Sequence, residues 1–413
     1  MTDDEPQLAL SVRDGDETLG IVVLDRLVGG RACGGLRIAP VVTAAEVREL
    51  AAVMTRKFAF WRIACGGAKA GLVVPVDATR AERRRRTRAF GRAIAPLLRC
   101  RTYIPATDLG SRARDLWEVT RAAGMPAGPA PALNDVTSGD SAADAGRSAA
   151  VAALAALAAG GVPADGATLA VAGYGRVGAA CAARFVAAGG RLVAVSTRLG
   201  AVADPAGLDL RALEDARAAH GDAAPLHYPR GRALAAADVL ALPVDVLAPC
   251  GPSRVLDGTT WRAARCRVVA PGGNAAVTRE ADAGLTAAGV VVLPDFVANA
   301  GGVLVGHFWP LRLRAGMLEG LVEERVRQAV GALLRAAAAR GTSPTRVATA
   351  LAARNLERLR RGDAASRRRE RLIARLGRSR LTRVVPARVL ETLVRQAAST
   401  LGPCGAERVP LGA

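Results

Sequence analysis

The amino-acid sequence predicts an α/β protein built from two domains. The chain has 413 residues, 51% of them hydrophobic, which is enough for two domains that each bury a core. Short apolar runs alternate with helical segments along most of the chain, as is typical of the α/β class. A run of Gly, Pro and Ala at Gly124–Pro131 lies between two such alternating regions and is predicted to be a loop.

The first region is predicted to alternate strands and helices. Residues 7–28 alternate in polarity on either side of Asp14-Gly15-Asp16, which predicts a β-hairpin. Thr43 followed by Glu46 has the spacing of a capping box, so a helix is predicted from Thr43 to Met54. The other predicted elements are a strand at Leu72–Pro75, a basic amphipathic helix at Ala81–Cys100 and a strand at Arg101–Pro105.

The second region begins with a long predicted helix, Gly146–Gly160, and continues as a βαβ unit. A strand at Thr168–Ala172 runs into a glycine-rich turn, a helix follows to Ala188, and a second strand covers Arg191–Ser196. Three further apolar strands, starting at Val244, Arg267 and Val290, predict a doubly wound parallel sheet. Beyond Gly302 the pattern is mainly helical.

The glycine-rich turn is a Gly-x-Gly-x-x-Gly motif between a strand and a helix. In that context the first glycine permits a tight turn, and the second lets backbone approach a pyrophosphate that the helix N-terminus attracts. The motif therefore predicts a Rossmann-type domain for a nicotinamide dinucleotide, with a ligand-free glycine turn as the minor alternative. The predicted contacts are Gly173, Tyr174, Gly175, Arg176, Val177 and Gly178.

The residues after the second strand bear on which dinucleotide is bound. An acidic residue about 20 positions after the motif would hold the ribose 2′-hydroxyl of NAD, but Thr197 and Arg198 occupy that place. A cation there attracts a 2′-phosphate. NAD and NADP both stay open as cofactors, and the sequence favours NADP.

Charge and cysteine content limit the other classes of function. The formal charge is +20, and half of it falls in Leu351–Ala413, where fifteen Arg stand against five acidic residues. We interpret this tail as a solvated Arg-rich face, because no aromatic residues are interleaved to stack on bases, and nucleic acid is not an expected partner. Seven scattered cysteines, an acidic start and the lack of a long apolar span predict a cytoplasmic protein without a membrane or metal site.

Lysine is nearly absent from this Arg-rich chain. Of 57 basic residues only Lys57 and Lys69 are lysine, and both lie in one short region. Arginine keeps its proton under almost all conditions, whereas a desolvated lysine can lose it. The glycines around Lys69 allow close packing that would lower its pKa and suit it to proton exchange. Lys57 could hold a carboxylate, and chance survival of two lysines is the weaker explanation.

Several motifs, in order along the chain, resemble the glutamate/leucine/phenylalanine/valine dehydrogenase family. The resemblance covers about residues 15–350 and implies an L-amino-acid dehydrogenase with a mixed-sheet α/β substrate domain beside the Rossmann-type domain. Its partners would be an amino acid, the 2-oxo acid and ammonia, and a homo-oligomer is expected. The motifs are Gly34-Gly35-Leu-Arg-Ile-Ala-Pro, Met54-Thr-Arg-Lys57, Gly66-Gly-Ala-Lys69-Ala-Gly, Tyr103-Ile-Pro-Ala-Thr-Asp108-Leu-Gly, Gly200-Ala-Val-Ala-Asp-Pro and Pro294-Asp-Phe-Val-Ala-Asn299-Ala-Gly-Gly.

The resemblance also implies residue roles. Lys57 would hold the substrate α-carboxylate, Lys69 would polarise the oxygen on the α-carbon and the attacking water, and Asp108 would carry the proton. Without Lys69 nearby, Asp108 would be taken for a helix cap or an ordinary loop carboxylate. Substrate contacts are also expected from Gly34, Gly35 and Asn299, and a cofactor contact from Asn274.

The expected domain limits follow the same resemblance. Residues 1–140 would bind the substrate and residues 141–298 the dinucleotide. Helices at 299–360 would return to the first domain, and an Arg-rich tail would occupy 361–413. Closure of a cleft between the domains would set the α-carbon against the nicotinamide.

The chain departs from the family at three places. Glutamate-specific members carry a lysine before the Gly-Gly-x-Arg run and a serine after Asn-Ala-Gly-Gly, where this chain has Cys33 and Gly306. A buried second carboxylate would lack partners there, so an apolar or neutral substrate side chain is predicted. Ala145 replaces a threonine that would touch the nicotinamide. The alternatives are therefore glutamate dehydrogenase activity or a silent, regulatory dinucleotide-binding homologue.

Overall fold

The chain groups into two compact units in a computed structural model. Of the residues that the structure describes, unit 1 comprises those within 1–138, 306–314 and 352–401, and unit 2 those within 139–305 and 315–351. The structure describes residues 5–126, 141–311, 313, 315–362, 368, 371 and 373. Most of the loop predicted at Gly124–Pro131 and most of the Arg-rich tail lie outside the described residues.

Unit 1 contains a five-stranded sheet that is mixed, as expected. Its strands are β1 (Leu8–Asp14), β2 (Glu17–Leu24), β3 (Ala32–Ala39), β4 (Gly66–Val73) and β5 (Tyr103–Thr107), in the order β1–β2–β4–β3–β5. The first two pair antiparallel around Gly15 at φ 61°, which confirms the predicted hairpin. β4 runs antiparallel to β2, whereas β3 runs parallel to β4 and β5. β3 was not predicted, because its glycines obscure the strand pattern.

Four helices accompany this sheet: α1 (Ala44–Phe60), α2 (Arg80–Ala93), α3 (Ala95–Arg99) and α4 (Ala113–Ala122). Thr43 caps α1 as predicted, since its side chain accepts a hydrogen bond from the Glu46 backbone N–H at 3.2 Å. The helix runs past Met54 to Phe60, which places Lys57 in its last turn. The helix predicted at Ala81–Cys100 is broken at Ile94, because Pro96 fits only the first turn of a new helix.

The two faces of the sheet are covered by different helices. Val22 and Leu24 pack with Phe90 of α2 and Val119 of α4. On the opposite face, Ile21 and Val23 of β2 pack against Val47 and Ala51 of α1. Because side chains alternate along a strand, residues paired with Val23 also face α1. Lys69 pairs with Val23 and therefore lies on the α1 side of the sheet.

Unit 2 contains a seven-stranded sheet with a parallel core. Its strands are β6 (Thr168–Ala172), β7 (Arg191–Thr197), β8 (Gly200–Ala203), β9 (Arg232–Leu234), β10 (Pro243–Pro249), β11 (Arg265–Val269) and β12 (Val291–Val292). The order is β12–β11–β10–β6–β7–β8–β9. The strands from β12 to β7 are parallel, which confirms the Rossmann-type prediction. Two antiparallel strands that were not predicted, β8 and β9, extend the sheet beyond β7.

The helices of the second half of the chain are α5 (Ser141–Ala159), α6 (Arg176–Val186), α7 (Leu210–His220), α8 (Arg279–Ala287), α9 (Asp295–Ala298), α10 (Gly301–Phe308), α11 (Ala315–Ala338) and α12 (Pro344–Arg360). By length and composition alone α5 could cross a membrane, but 56% of its apolar window is buried, and it packs against α6 and α11. Such a helix is typical of a protein core.

The helices at 299–360 divide differently from the expectation. Residues 306–314 and 352–360 group with unit 1, whereas 299–305 and 315–351 group with unit 2. The physical reason is the packing of α11 on α5, reinforced by an ion pair between Arg184 of α6 and Glu323 at 2.7 Å. The long helix α11 therefore belongs to the unit that carries the glycine motif.

Candidate active site

Lys69 and Asp108, the two predicted catalytic residues, are in direct contact. Lys69 lies in the middle of β4, which begins six residues before the strand predicted at Leu72. Its ammonium nitrogen Nζ is 2.8 Å from Oδ1 of Asp108, just after β5. The Lys69 side chain is 2% exposed and that of Asp108 is 13% exposed. The pair is thus an almost fully desolvated acid–base couple.

A second cation holds the other oxygen of the same carboxylate. Arg37 of β3 donates from Nε to Oδ2 of Asp108 at 3.0 Å, and its Nη1 donates to Oε1 of Glu46 on α1. The Arg37 side chain is 8% exposed. No role was predicted for Arg37. Glu46 was predicted to complete a capping box, but its side chain contacts Arg37 instead.

The surroundings shift the pKa of both members of the pair. Burial lowers the pKa of Lys69, Asp108 raises it in part, and the nearby Arg37 lowers it again, so the net pKa lies below its usual value. Burial acts to raise the pKa of Asp108, but the charges and hydrogen bonds of Lys69 and Arg37 together outweigh burial and lower it. Lys69 can therefore exchange a proton more easily than an exposed lysine.

Glycines allow the backbone and Asp108 to come this close. A Cβ added at Gly35 would lie 2.7 Å from Cβ of Asp108, and one at Gly34 would lie 1.6 Å from the Ala68 carbonyl oxygen. Gly67 donates its N–H to Oγ1 of Thr55 at 3.2 Å, which fastens β4 to α1. Gly34 and Gly35 thus have a packing role, and their predicted substrate contacts stay predictions.

The other predicted substrate residues of unit 1 are buried. Lys57 is 4% exposed in the last turn of α1, and Cys33 is 4% exposed on β3. Strand alternation places Cys33 on the same face as Gly35 and Arg37. Gly306 is buried in α10 and also belongs to unit 1.

The glycine motif of unit 2 forms the predicted turn. Gly173 has φ 108°, a conformation that other residues avoid, and a Cβ there would lie 2.5 Å from the Gly251 nitrogen. A Cβ at Gly178 would lie 2.2 Å from the Gly173 carbonyl oxygen, whereas one at Gly175 would meet no atom within 4 Å. Gly175 is exposed and caps the N-terminus of α6. The turn thus has the open space and the helix N-terminus that a pyrophosphate requires.

Not every residue of the motif faces that space. The Tyr174 hydroxyl donates to Glu214 of α7 at 3.0 Å, and the side chain is buried. Tyr174 therefore fastens the turn to α7, and a side-chain contact to a dinucleotide is not expected from it. Arg176 is exposed and Val177 is partly exposed at the start of α6.

A carboxylate does lie beside the end of β7, although none follows it in the sequence. Arg198 donates from Nε to Oδ2 of Asp222 at 2.6 Å, and Thr197 donates its hydroxyl to the Asp222 carbonyl oxygen. The side chains of Arg198 and Asp222 are 74% and 55% exposed. Thr197 and Arg198 do occupy the place predicted for them, and the turn that follows α7 brings Asp222 back to this strand.

Asn274 and Asn299, for which the resemblance implies contacts to cofactor and substrate, lie together. The Asn299 amide nitrogen donates to the Asn274 side-chain oxygen at 3.2 Å and to the carbonyl oxygens of Gly272 and Gly273 at 3.1 and 3.0 Å. Asn299 is 3% exposed. Asp295, which had no predicted role, accepts the backbone N–H of Ala275, whose φ is 51°. Asp295 at the start of α9 and Asn299 just after α9 thus both hold the loop that carries Asn274.

Sequence reasoning missed the site roles of four polar residues, namely Arg37, Glu46, Asp222 and Asp295. Only Arg37 had a usable signal: on a strand, alternation would place it on one face with Cys33 and Gly35. The position of Asp222 depends on the path of a turn, which residue patterns do not specify.

A buried lysine–aspartate pair that can exchange protons and a Rossmann-type glycine turn are together typical of a nicotinamide-dependent dehydrogenase. Residues 138–357 match the family described as Glutamate/Leucine/Phenylalanine/Valine dehydrogenase, and residues 9–123 match the Glu/Leu/Phe/Val dehydrogenase dimerisation domain. The chain belongs to this family and is an NAD(P)-dependent amino-acid dehydrogenase, which confirms the resemblance and the enzyme class inferred from the motifs.

Two relatives of known name illustrate the similarity. Glutamate dehydrogenase B of Halobacterium salinarum is 35% identical over 292 residues, which cover 68% of this chain and 67% of that protein. Glutamate dehydrogenase of Thermotoga maritima is 32% identical over 300 residues, covering 70% and 71%.

Solved structures agree with the fold. The Leu-bound hetero-hexameric glutamate dehydrogenase of Thermus thermophilus superposes with a TM-score of 0.75 at 28% identity, covering 86% of this chain and 89% of that one. L-tryptophan dehydrogenase of Nostoc punctiforme has a TM-score of 0.60 at 19% identity, covering 87% and 98%, and shows the shared fold alone.

Proposed function

We propose that Lys69 and Asp108 catalyse the oxidation of an L-amino acid whose side chain is apolar or neutral. The products are the 2-oxo acid and ammonia. The observation that carries this proposal is the buried contact of 2.8 Å between the two side chains. In a chain with only two lysines, Lys69 occupies a position of β4 from which its amine contacts this carboxylate.

Each residue has a chemical task in the proposed reaction. The glycine turn at Gly173–Gly178 would hold the dinucleotide, which would supply the acceptor for the hydride of the α-carbon. Water then adds to the resulting imino acid, with Asp108 accepting the proton that water loses and Lys69 donating an N–H to the new oxygen. Asp108 then returns this proton to the amino nitrogen and accepts the proton of the new hydroxyl as the C–N bond breaks, which expels ammonia and leaves the 2-oxo acid. Lys57 holds the α-carboxylate, which fixes the α-carbon for hydride loss.

The proposed substrate class rests on Cys33 and Gly306. Neither side chain can neutralise a second carboxylate, and burial of an unpaired carboxylate is costly. Glutamate is the second candidate, because the relatives at 35% and 32% identity are named glutamate dehydrogenases. Relative kcat/KM values for leucine, valine, phenylalanine and glutamate distinguish the two candidate substrate classes. A wide preference for glutamate contradicts the proposal of an apolar or neutral side chain.

For the cofactor, we propose that NADP is accepted and that Arg198 is the residue that holds its 2′-phosphate. The guanidinium is 74% exposed, so a phosphate can reach it. Asp222 competes for the same cation, so NAD is expected to serve as well, with the smaller kcat/KM. Thr197, the last residue of β7, is proposed to contact the ribose.

We also propose a homo-oligomer in the cytoplasm. The dimerisation-domain match supports the oligomer, as does the edge strand β1, whose Leu10 is 37% exposed. Edge strands with apolar residues readily pair with another chain. Within the described part of the chain Cys100, Cys181, Cys250 and Cys266 are free thiols, which suits a reducing compartment. Light scattering of the purified protein tests the oligomer.

The enzyme test compares three single substitutions in the full chain. Absorbance of the reduced nicotinamide is followed with each dinucleotide and a panel of L-amino acids. We expect Lys69→Ala and Asp108→Asn to lower kcat by about 100-fold or more. Asp115→Asn is the matched control, because Asp115 is another buried carboxylate of unit 1 and pairs with Arg83 at 2.8 Å. Turnover that survives in Lys69→Ala would contradict the proposed function.

A further inference from the structure

We propose that Arg37 and Glu46 are positioning residues that set which of Lys69 and Asp108 carries the exchangeable proton. The inference rests on the roles proposed for Lys69 and Asp108. It adds two residues that do not contact the substrate in that proposal but act on the catalytic pair through Asp108.

The first support is the geometry of the four side chains. Asp108 is held through Oδ1 by Lys69 at 2.8 Å and through Oδ2 by Arg37 at 3.0 Å, so its carboxylate cannot rotate without losing one cation. Arg37 is held in turn by Glu46, whose side chain is 32% exposed. The four groups form a line of alternating charge, from buried Lys69 to partly exposed Glu46.

The second support is the chemistry of the guanidinium group. Arg37 uses Nε for Asp108 and Nη1 for Glu46, so one rigid planar group joins two carboxylates. A lysine ammonium at the end of a flexible stem does not reproduce this fork. Arg37 is 6% exposed, so no water layer weakens its charge toward the pair.

The third support is that the two residues act in opposite directions. The Arg37 cation opposes protonation of both Lys69 and Asp108, whereas the Glu46 anion favours protonation of Lys69. Other buried titratable groups on the elements around the pair are Asp25 after β2, Cys33 on β3, Lys57 on α1 and Tyr103 on β5, and Tyr103 interacts electrostatically with Asp108. These groups are unchanged in the variants below, so a difference in pH profile between a variant and the wild type reports the loss of Arg37 or Glu46 alone.

The test compares the pH dependence of kcat and kcat/KM in Arg37→Gln and Glu46→Gln. Loss of the Arg37 cation raises the pKa of both catalytic groups, so the profile should move to higher pH by about one unit. Loss of the Glu46 anion should move the Lys69 limb to lower pH, and by less, because Glu46 is partly exposed. Arg37→Lys keeps the charge, so its profile should stay near wild type while kcat falls.

A purely structural role predicts something different. In that case both glutamine variants lower activity or melting temperature without shifts of opposite sign. Arg83→Gln is the matched control, since Arg83 makes a comparable two-point contact to Asp115 at 3.0 and 2.8 Å in the same unit. Its pH profile should equal that of the wild type.

The outcomes separate this inference from the proposed function. If Lys69→Ala and Asp108→Asn retain turnover, the proposed function is wrong. If those two are inactive while Arg37→Gln and Glu46→Gln keep the wild-type profile, only the present inference is overturned. If Arg37→Gln does not fold, Glu46→Gln alone tests the inference. A pH profile of Glu46→Gln that equals that of the wild type, or that moves to higher pH, overturns the inference.

Discussion

The ion pair of Lys69 and Asp108 gives a prediction about stability that is independent of any substrate. In Asp108→Asn the ammonium of Lys69, 2% exposed, loses its counter-ion 2.8 Å away and still lies near the Arg37 cation. Removing one partner of a buried ion pair costs about 3 kcal/mol. We therefore expect the free energy of unfolding of Asp108→Asn to fall by about that amount at neutral pH.

Two further measurements show whether the unpaired charge is the cause. Adding Lys69→Met replaces the ammonium with an uncharged side chain of similar length, so the double variant should regain about 2 kcal/mol over Asp108→Asn. The pKa of Lys69 is already lowered by burial from its usual 10.5, and loss of Asp108 lowers it further. Between that lowered pKa and 10.5 the unfolded chain binds more protons than the folded one, so stability rises with pH. The deficit of Asp108→Asn should therefore shrink as pH increases.

The assay is urea unfolding followed by circular dichroism at several pH values. Protein concentration is kept fixed, because an oligomer gains stability by mass action. A double variant that is no more stable than Asp108→Asn, or a deficit that does not change between pH 7 and pH 10, would refute the argument, since the cost would then come from lost packing and not from charge.

Three other predictions concern the cofactor and the substrate. Gly175→Ala should leave the melting temperature unchanged, because the added Cβ would meet no atom within 4 Å, but it should raise the KM for dinucleotide about tenfold or more. Gly178→Ala should instead lower the melting temperature, because its Cβ would lie 2.2 Å from a carbonyl oxygen. The ratio of kcat/KM for NADP to kcat/KM for NAD should fall about tenfold in Arg198→Ala and rise about threefold in Asp222→Asn. Equal effects on both dinucleotides would contradict the proposed contact of Arg198 with the 2′-phosphate. Cys33→Lys should increase kcat/KM for glutamate relative to leucine by about tenfold, and an unchanged ratio would place the substrate side chain elsewhere.

The sequence predicts unit 2 better than unit 1, and the reason is physical. In unit 2 buried parallel strands are continuous apolar runs, such as Thr168–Ala172, whose predicted and observed limits agree. In unit 1 the strands that carry the site are rich in glycine, because β3 and β4 approach until Gly34 contacts the Ala68 backbone. Glycine removes the alternating pattern that identifies a strand, so β3 was missed and β4 was predicted too short.

The same close packing explains which part of the site the sequence could reveal. Lys69 and Asp108 were found through residue type and motif, because few side chains can perform their chemistry. Arg37 and Glu46 were not, since an arginine among 57 basic residues and a glutamate at a helix start both have ordinary explanations. Their significance comes only from the pairing of β3 with β4 and β5, which sets Arg37 on the α1 side of the sheet, between Glu46 and Asp108. The order of the four charges, from Lys69 through Asp108 and Arg37 to Glu46, is set by the register of the strands. Register in turn depends on contacts between residues that are distant in sequence.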